Sequence, residues 1–233
     1  MSGDGIKADN ANWKFNGDMV ENFETHVARS VPFYTEGHGL VVKLSDYFVK
    51  EDSVCYELGS STGKLSHHLA THHESKNATF IGLEIEEDMV TKAQATYHHD
   101  KLSFACEDIN AFVFEKTDLI VAYYTVQFVH PKQRQALIDK VYEALNWGGA
   151  FILYEKVRAN DARFQDICTG LYTEYKLDQG YTPEEIVSKS KSLKGVLEPF
   201  STQGNLDMLK RAGFLDILSV QKYVNFEGFL AIK

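Results

Sequence analysis

The sequence predicts an α/β fold built on a doubly wound, mostly parallel sheet with helices on both faces. Short apolar runs of strand length alternate with longer runs of helical periodicity from about residue 54 to residue 154. A turn rich in small residues separates the first predicted strand from the helix that follows it, at residues 59–63. Polar or acidic residues follow the successive strands, as is typical where parallel strands end at a common ligand crevice.

The individual elements follow from apolar spacing and from the breaks in it. Spaced apolar residues predict two N-terminal helices, over 13–31 and over about 34–48. The alternating region predicts strands at 54–57, 79–83, 102–105, 119–124 and 150–154, and helices at 64–73, 87–98 and 131–145. The glycines at 148 and 149 are expected to close the last of these helices.

The alternation breaks near residue 160 and then returns. A helical insert over about 161–195 is expected to form a lid above the carboxyl edge of the sheet. A helix at 205–212 and strands at 214–220 and 228–233 complete the pattern. Residues 1–12 are polar and are expected to be disordered, which leaves one ligand-binding domain over 13–233.

The composition limits the kinds of molecule that this chain is expected to bind. The chain has 233 residues and a net charge of −9 without a long basic run, which argues against a built-in nucleic-acid surface. It shows no signal peptide and no apolar run of membrane-spanning length, and its three cysteines are scattered. We therefore expect a cytoplasmic protein with a small-molecule substrate and no membrane partner, and leave a homodimer open.

The most informative segment is E-L-G-S-S-T-G at residues 57–63. Its small residues let the backbone approach a ligand, and N–H groups at the helix start are expected to face the ligand's polar groups. The residues assigned to this contact are Gly59, Ser60, Ser61 and Gly63. The carboxylate of Glu57 disfavours a phosphate and suits an ammonium group or sugar hydroxyls, both of which S-adenosylmethionine (SAM) carries.

Other nucleotide motifs fail on spacing, whereas one alternative remains open. The segment matches neither the P-loop nor G-x-G-x-x-G, because the glycine spacing differs from both. It does match G-x-S-x-G, the nucleophile turn of serine hydrolases, with Ser61 as nucleophile. Glu57 would place negative charge beside that serine, and no histidine is singled out as its base.

The following strand ends favour SAM. Glu84 ends the second strand, where a carboxylate can accept both ribose hydroxyls. Asp108 follows the third strand and can accept from the adenine amino group, while Ile109 and Ile85 are assigned to pack on the adenosine. Tyr123 ends the fourth strand, beside the expected position of the reacting carbon.

These motifs resemble the class I SAM-dependent methyltransferases, which carry E/D-x-G-x-G-x-G and then an acid after strands two and three. Within that superfamily the chain is similar to the carboxy-SAM synthase family, whose enzymes precede tRNA wobble-uridine modification. The segments that carry this likeness are 29–34, 134–140, 145–150, 155–156 and 180–186. The resemblance implies a Rossmann-like fold and a SAM site.

The chain departs from the resembled family at the sulfonium end. The family holds the extra carboxylate of its ligand with an arginine where this chain has Met208, and has an asparagine where this chain has Tyr123. Its two-histidine stretch corresponds to residues 172–173 here, within Y-T-E-Y-K. The resemblance therefore implies a SAM enzyme whose chemistry has diverged.

Tyrosines are the candidates for that chemistry. Tyr34 and Tyr123 are expected nearest the sulfonium, which aromatic faces attract, and Tyr123, Tyr172 and Tyr175 are the candidate catalytic residues. The function expected is methyl transfer to a small acceptor. Alternatives are cyclisation of SAM with release of methylthioadenosine, carboxy-SAM synthesis, and a SAM sensor without turnover. The histidines at 67, 68, 72 and 73 are expected on a solvated helix face, with no metal.

Overall fold

The computed structural model describes residue 11 and residues 18–233, with only the backbone of residue 18. The disorder predicted for residues 1–12 and the start of the helix predicted over 13–31 therefore lie almost wholly outside the described residues.

Eight α-helices and seven strands make up the described chain. The helices are α1 (Asp18–Ser30), α2 (Tyr34–Ser45), α3 (Lys64–His72), α4 (Glu87–Thr96), α5 (Pro131–Ala144), α6 (Ala162–Asp178), α7 (Pro183–Ser192) and α8 (Thr202–Ala212). The strands are β1 (Val54–Leu58), β2 (Thr79–Glu84), β3 (Leu102–Cys106), β4 (Thr117–Tyr123), β5 (Leu145–Lys156), β6 (Asp216–Tyr223) and β7 (Phe226–Ile232).

The strands form one sheet in the order β3-β2-β1-β4-β5-β7-β6. The first five strands of this order pair in parallel. Strand β7 runs antiparallel to both of its neighbours, β5 and β6. The predicted doubly wound α/β fold is thus confirmed. Chain order reverses between β1 and β4, and a sheet of this kind opens a crevice at the carboxyl ends of the strands that flank such a reversal.

Apolar side chains fill both faces of the sheet. One face packs against α5 and α8, where Leu137, Val141 and Leu209 meet the buried residues of β4 and β5. The other packs against α2 and α3 through Val41 and Leu65. Since both faces are covered, the central strands are almost continuously apolar, as the sequence pattern of a parallel sheet requires.

Several predicted boundaries are wrong for an identifiable reason. The predicted glycine cap of α5 does not form, because the backbone becomes extended at Leu145. Strand β5 begins there instead of at residue 150. Gly148, with φ of 78°, lies inside β5, where its N–H donates to the carbonyl of Lys233. The last two strands occupy 216–223 and 226–232, so they form a tight hairpin rather than two separated strands.

The insert after β5 consists of α6 and α7 and is fastened to α1. Asp161 caps α6 through its side chain, and Thr182 and Glu185 form a capping box at the start of α7. The hydroxyl of Tyr172 in α6 donates to the carbonyl of Ser30 at 2.8 Å. Arg29 donates to the carbonyl of Gln179, in the connection between the two helices, at 2.7 Å. The insert therefore lies against the N-terminal helix.

Among the described residues, no helix combines the length and the apolar character that crossing a membrane requires.

Two glycines offer a matched test of this packing. A Cβ at Gly228 in β7 would lie 2.5 Å from the ring of Tyr154, whereas one at Gly39 in α2 would meet nothing within 4 Å. We expect Gly228→Ala to lower the free energy of unfolding by about 1–3 kcal/mol because the buried ring must shift. Gly39→Ala should raise it by about 0.5–1 kcal/mol because alanine favours a helix interior.

Urea denaturation followed by circular dichroism measures both variants. Equal effects of the two substitutions would contradict the close packing of β7 on Tyr154.

Candidate functional site

A cavity of about 720 Å³ lies at the carboxyl ends of the parallel strands, beneath α1, α6 and α7. Nine of the residues predicted for the site line it: Tyr34, Gly59, Ser61, Glu84, Ile85, Asp108, Ile109, Tyr123 and Tyr172. Four others, Glu57, Ser60, Gly63 and Tyr175, are not among its lining residues. Seven of the nine come from the ends of β1, β2, β3 and β4, as the order of the sheet requires, whereas Tyr34 begins α2 and Tyr172 lies in α6.

The turn after β1 approaches the cavity closely. Gly59 has φ of 71°, and a Cβ there would lie 2.5 Å from the side chain of Thr125. The N–H groups of Gly59 and Ser60 donate to the carbonyl of Leu83. These two groups are therefore occupied, contrary to the expectation that N–H groups of this turn face the ligand. The missing side chain at Gly59 makes room for Thr125, which packs against the turn.

Gly63 and Glu57 lie behind this turn. Gly63 has φ of 88°, and a Cβ there would lie 2.5 Å from the ring of Phe104, so this glycine lets α3 pack closely. The carboxyl of Glu57 accepts a hydrogen bond from the hydroxyl of Ser66. Burial raises the pKa of Glu57 to about 8 despite that hydrogen bond. Glu57 thus supports the turn from beneath. Its side chain does not line the cavity, where the predicted role of holding a ligand would place it.

Glu84 joins the turns that follow β1 and β2. Its Oε2 accepts from the N–H of Ser61 at 2.9 Å, and its Oε1 accepts from the N–H groups of Ile85 and Glu86 at 2.9 and 3.1 Å. The residue is only 9% exposed, and burial raises the pKa of its carboxyl. Because a carboxylate has about four acceptor positions and three are occupied, about one remains for a hydroxyl group of a ligand in the cavity.

A flat apolar slot lies next to Glu84. Ile85 is 63% exposed although it is apolar, and it lines the cavity together with the buried Ile109. Asp108 uses Oδ1 to accept from the backbone and side-chain nitrogens of Asn110, at 2.8 and 2.9 Å. Met89, which the strand-end reasoning missed, adds a buried wall from α4. The slot has the apolar faces and edge acceptor that suit a purine ring.

Aromatic rings surround the cavity at the end of β4. The ring of Tyr34 lies 5.1 Å from that of Tyr123 and 6.4 Å from that of Tyr124. The rings of Tyr172 and Phe226, 5.1 Å apart, also line this wall. We call these five residues the aromatic box. Tyr124 and Phe226 were missed from the sequence, although Tyr124 directly follows a predicted site residue.

The hydroxyl groups of two predicted catalytic tyrosines are bound to the backbone. Tyr123 donates to the carbonyl of Tyr34 at 2.7 Å, and Tyr172 donates to that of Ser30. Burial raises the pKa of both phenols above the usual range, so both are neutral donors. These contacts fix the rings and argue against a role for either phenol as a proton acceptor.

Tyr175 lies outside the cavity. Its ring stacks on that of Tyr172 at 6.4 Å and meets the edge of Tyr223. It therefore supports Tyr172 from behind and does not line the space where a ligand would react.

Gln127 connects the ends of β4 and β5. Its side-chain amide donates to the carbonyl of Tyr124 at 3.1 Å and accepts from the N–H of Lys156 at 2.9 Å. The guanidinium of Arg134, which is fully buried, holds the carbonyl of Gln127 at 2.9 Å. Tyr124 itself has φ of 61°, a conformation that costs about 1–3 kcal/mol for a side chain of this kind. This network holds Tyr124 and Lys156 side by side.

The serine-hydrolase alternative gains no support from the described residues. The N–H of Ser61 donates to Glu84, and no histidine among the described residues is hydrogen-bonded to Ser61. A nucleophilic serine needs a base within hydrogen-bond reach, although that contact can be loose without a ligand.

The histidines of α3 are not uniformly solvated. His72 pairs with Asp46 at 2.8 Å on the surface, in line with the prediction for this face. His73 is buried, its Nε2 lies 2.7 Å from the hydroxyl of Ser45, and burial lowers its pKa to about 4. It is a packing residue joined to α2.

Comparisons with known proteins agree with this geometry. Residues 56–149 match the family model described as a methyltransferase domain. Magnesium protoporphyrin IX methyltransferase from Synechocystis, solved with S-adenosylhomocysteine, is 16% identical with a TM-score of 0.64, over 94% of this chain and 95% of that one. Human N-acetylserotonin methyltransferase, solved with SAM, is 15% identical with a TM-score of 0.56, over 92% of this chain and 59% of that one. The fold is that of the class I SAM-dependent methyltransferases.

More similar relatives are matched along nearly their whole length. The carboxy-S-adenosyl-L-methionine synthase of Staphylococcus epidermidis is 37% identical over 222 residues, 95% of this chain and 97% of the relative. That of Helicobacter hepaticus is 36% identical over 231 residues, 95% of each chain. The chain belongs to the carboxy-SAM synthase family, and it is a SAM-dependent transferase.

The residues present fit SAM. Gly59 and Ser61 of the turn line the cavity, Glu84 retains an acceptor position, and Asp108 and Ile85 edge an apolar slot. The side-chain oxygen of Asn110, which lines the same slot, is buried without a hydrogen-bond partner. A ligand that donates hydrogen bonds at this end would satisfy it.

Glu84 provides the first test of these assignments. We expect Glu84→Ala to weaken SAM binding at least tenfold, about 1.4 kcal/mol, because hydrogen bonds to a charged acceptor are lost. Isothermal titration calorimetry measures the affinity. Glu87→Ala, which removes an exposed carboxylate from the first turn of α4, is the matched control. Equal affinities of the two variants would contradict the ribose assignment.

Glu57 provides a pH-dependent test. Its folded-state pKa of about 8 lies above the ordinary 4.5, so the folded state retains a proton that the unfolded state has lost. This contribution to stability is complete below about pH 4.5 and disappears as the pH rises to about 8. Glutamine mimics the protonated carboxyl, and we therefore expect Glu57→Gln to gain stability over the unaltered protein as the pH rises through this range.

Urea denaturation at a series of pH values measures the difference. Glu87→Gln, at an exposed position, should show no such trend. Parallel curves for Glu57→Gln and the unaltered protein would contradict a protonated buried carboxyl.

Proposed function

We propose that this chain converts SAM to carboxy-SAM, with a small carboxylate as the source of the new carboxyl group. The curated relatives named carboxy-S-adenosyl-L-methionine synthase support this reading, since they match the chain from end to end. The proposal replaces methyl transfer to a small acceptor as the preferred reaction. Both reactions use the same SAM site and differ in what lies beyond the reacting carbon.

One observation in the structure carries the proposal. The cavity does not end at the aromatic box but continues between the end of β5 and α6, where Lys156, Thr169 and Thr173 line it. In the sheet, β2 and β3 hold the adenosine residues, β1 and β4 are next, and β5 follows. A ligand bound with its adenosine at β2 and β3 thus directs its reactive end toward this further chamber, which has room for a second molecule.

The chain's own residues would position the reactants and exclude water. SAM supplies a methyl group whose C–H bonds are acidified by the neighbouring sulfonium. Formation of carboxy-SAM replaces one of these C–H bonds by a bond to the carbon of carbon dioxide, which the co-substrate releases. The proton of that C–H bond passes to the electron pair that the departing carbon dioxide leaves on the co-substrate. Each aromatic face that meets the cation contributes about 0.5–2 kcal/mol. The hydrogen bonds from Tyr123 and Tyr172 to the backbone hold those faces in place. The reaction therefore requires little further ordering of the side chains around the cation.

A second candidate is intramolecular cyclisation of SAM, favoured by one residue. The position at which the resembled family is expected to hold the added carboxylate is Met208 of α8, which is 1% exposed and packed in the hydrophobic core. Met208 is also not among the residues that line the cavity. Cyclisation forms no carboxylated product and does not need that arginine.

The products distinguish the reactions. Purified protein is incubated with SAM alone and with SAM plus each of a panel of small carboxylates that can lose carbon dioxide, and the products are identified by mass spectrometry. We expect carboxy-SAM only when both reactants are present. Glu84→Ala should reduce its formation strongly, whereas Glu87→Ala should leave it unchanged.

Three other results would overturn the proposal. Methylthioadenosine formed from SAM alone would establish cyclisation. S-adenosylhomocysteine together with a methylated carboxylate would establish methyl transfer. SAM that binds but stays intact under every condition would indicate a sensor.

A further inference from the structure

We infer that Lys156 and Lys176 form a carboxylate-binding site for the co-substrate, on the side of the aromatic box away from the adenosine residues. This inference deepens the proposed function and rests on it for the identity of the co-substrate. The binding site itself rests on the geometry of the two lysines.

The two ammonium groups share one aromatic ring. The Nζ atoms of Lys156, at the end of β5, and of Lys176, in α6, each lie 4.3 Å from the centroid of Tyr172. Lys156 also lies 5.8 Å from the ring of Phe226. Two cations gathered at a single ring repel each other, and the ring offsets only part of that repulsion.

Lys176 is buried and Lys156 is partly exposed, and both lack anionic partners among the described residues. Lys176 is 7% exposed, and both residues line the cavity. Among the described residues, neither ammonium group has a hydrogen bond or an ion pair with another protein group. The neighbouring charges that act on Lys156 are those of Lys176, Lys194 and Arg158, all of them positive. A buried charge without a partner is costly, so this end of the cavity is built for an anion.

The chemistry of the reaction decides which anion belongs there. The SAM sulfonium is itself a cation, and placing it beside two lysines is favourable only if negative charge lies between them. The lysines lie at β5 and α6, whereas the predicted adenosine contacts lie at β2 and β3. A separate small carboxylate supplies this negative charge, and ammonium donors are suited to it as point charges.

Protonation of the lysines supports this assignment. Burial, followed by the positive charges of Lys176, Lys194 and Arg158, lowers the pKa of Lys156 to about 7. Burial lowers the pKa of Lys176 to about 8. A bound carboxylate favours the charged form of both, so its binding should take up protons and should weaken as the pH rises above about 8.

Calorimetry with malonate as the probe tests the site without turnover. Malonate is titrated into protein saturated with S-adenosylhomocysteine, and SAM is titrated separately into each variant. We expect Lys156→Met and Lys176→Met each to weaken malonate binding at least tenfold. Affinity for SAM should change by less than about threefold. Methionine keeps the apolar stem and removes a buried charge, so both variants should fold.

Lys191→Met is the matched control, since it removes the same charge from an exposed position on α7. Lys176→Arg keeps the charge and should retain most of the affinity for malonate.

The inference is overturned if malonate does not bind, or if Lys191→Met weakens it as much as the cavity variants do. It is also overturned if the lysine variants lose affinity for SAM but not for malonate, because the lysines would then hold the carboxylate of SAM itself. If malonate binds as expected and no carboxy-SAM forms in the product assay, the site stands and the proposed function fails.

Discussion

The carboxylate of Glu84 is the constraint on which the site depends. It accepts backbone N–H groups from the turns after both β1 and β2. Together with the hydrogen bonds from Gly59 and Ser60 to the carbonyl of Leu83, it fixes the distance between the two strand ends. Hydrogen bonds to a charged group are worth about 1.5–3 kcal/mol each, enough to hold a short turn in one conformation.

The opposite side of the cavity is fixed in a different way. There, Gln127 spans β4 and β5, Arg134 holds the backbone of Gln127, and Tyr124 keeps a strained backbone conformation. The side of the cavity that we assign to adenosine is therefore organised by one carboxylate and the opposite side by a buried amide. This division fits a fold in which SAM recognition is shared across a superfamily while the chemistry differs between families.

Sequence patterns predicted the fold because a parallel sheet covered on both faces leaves a strong signal of alternating apolar runs. They also predicted the strand-end residues Glu84 and Asp108, since parallel strands end at one edge and place their next residues together. The position of Glu57 could not be predicted, because a residue inside a strand points to one face or the other, and its neighbours in sequence do not say which. Lys156 and Lys176 were missed for a related reason, because they come together only where α6 packs against the end of β5.

The fastening of the insert to α1 has a consequence for how ligands enter and leave. Met19, Phe23 and Ser30 of α1 line the cavity, while Tyr172 and Arg29 connect that helix to α6 and to the connection before α7. These hydrogen bonds join α1 and the insert into a single wall. The cavity is open at Ile85, which lines it and is 63% exposed, so a ligand can exchange with solvent there while that wall stays intact.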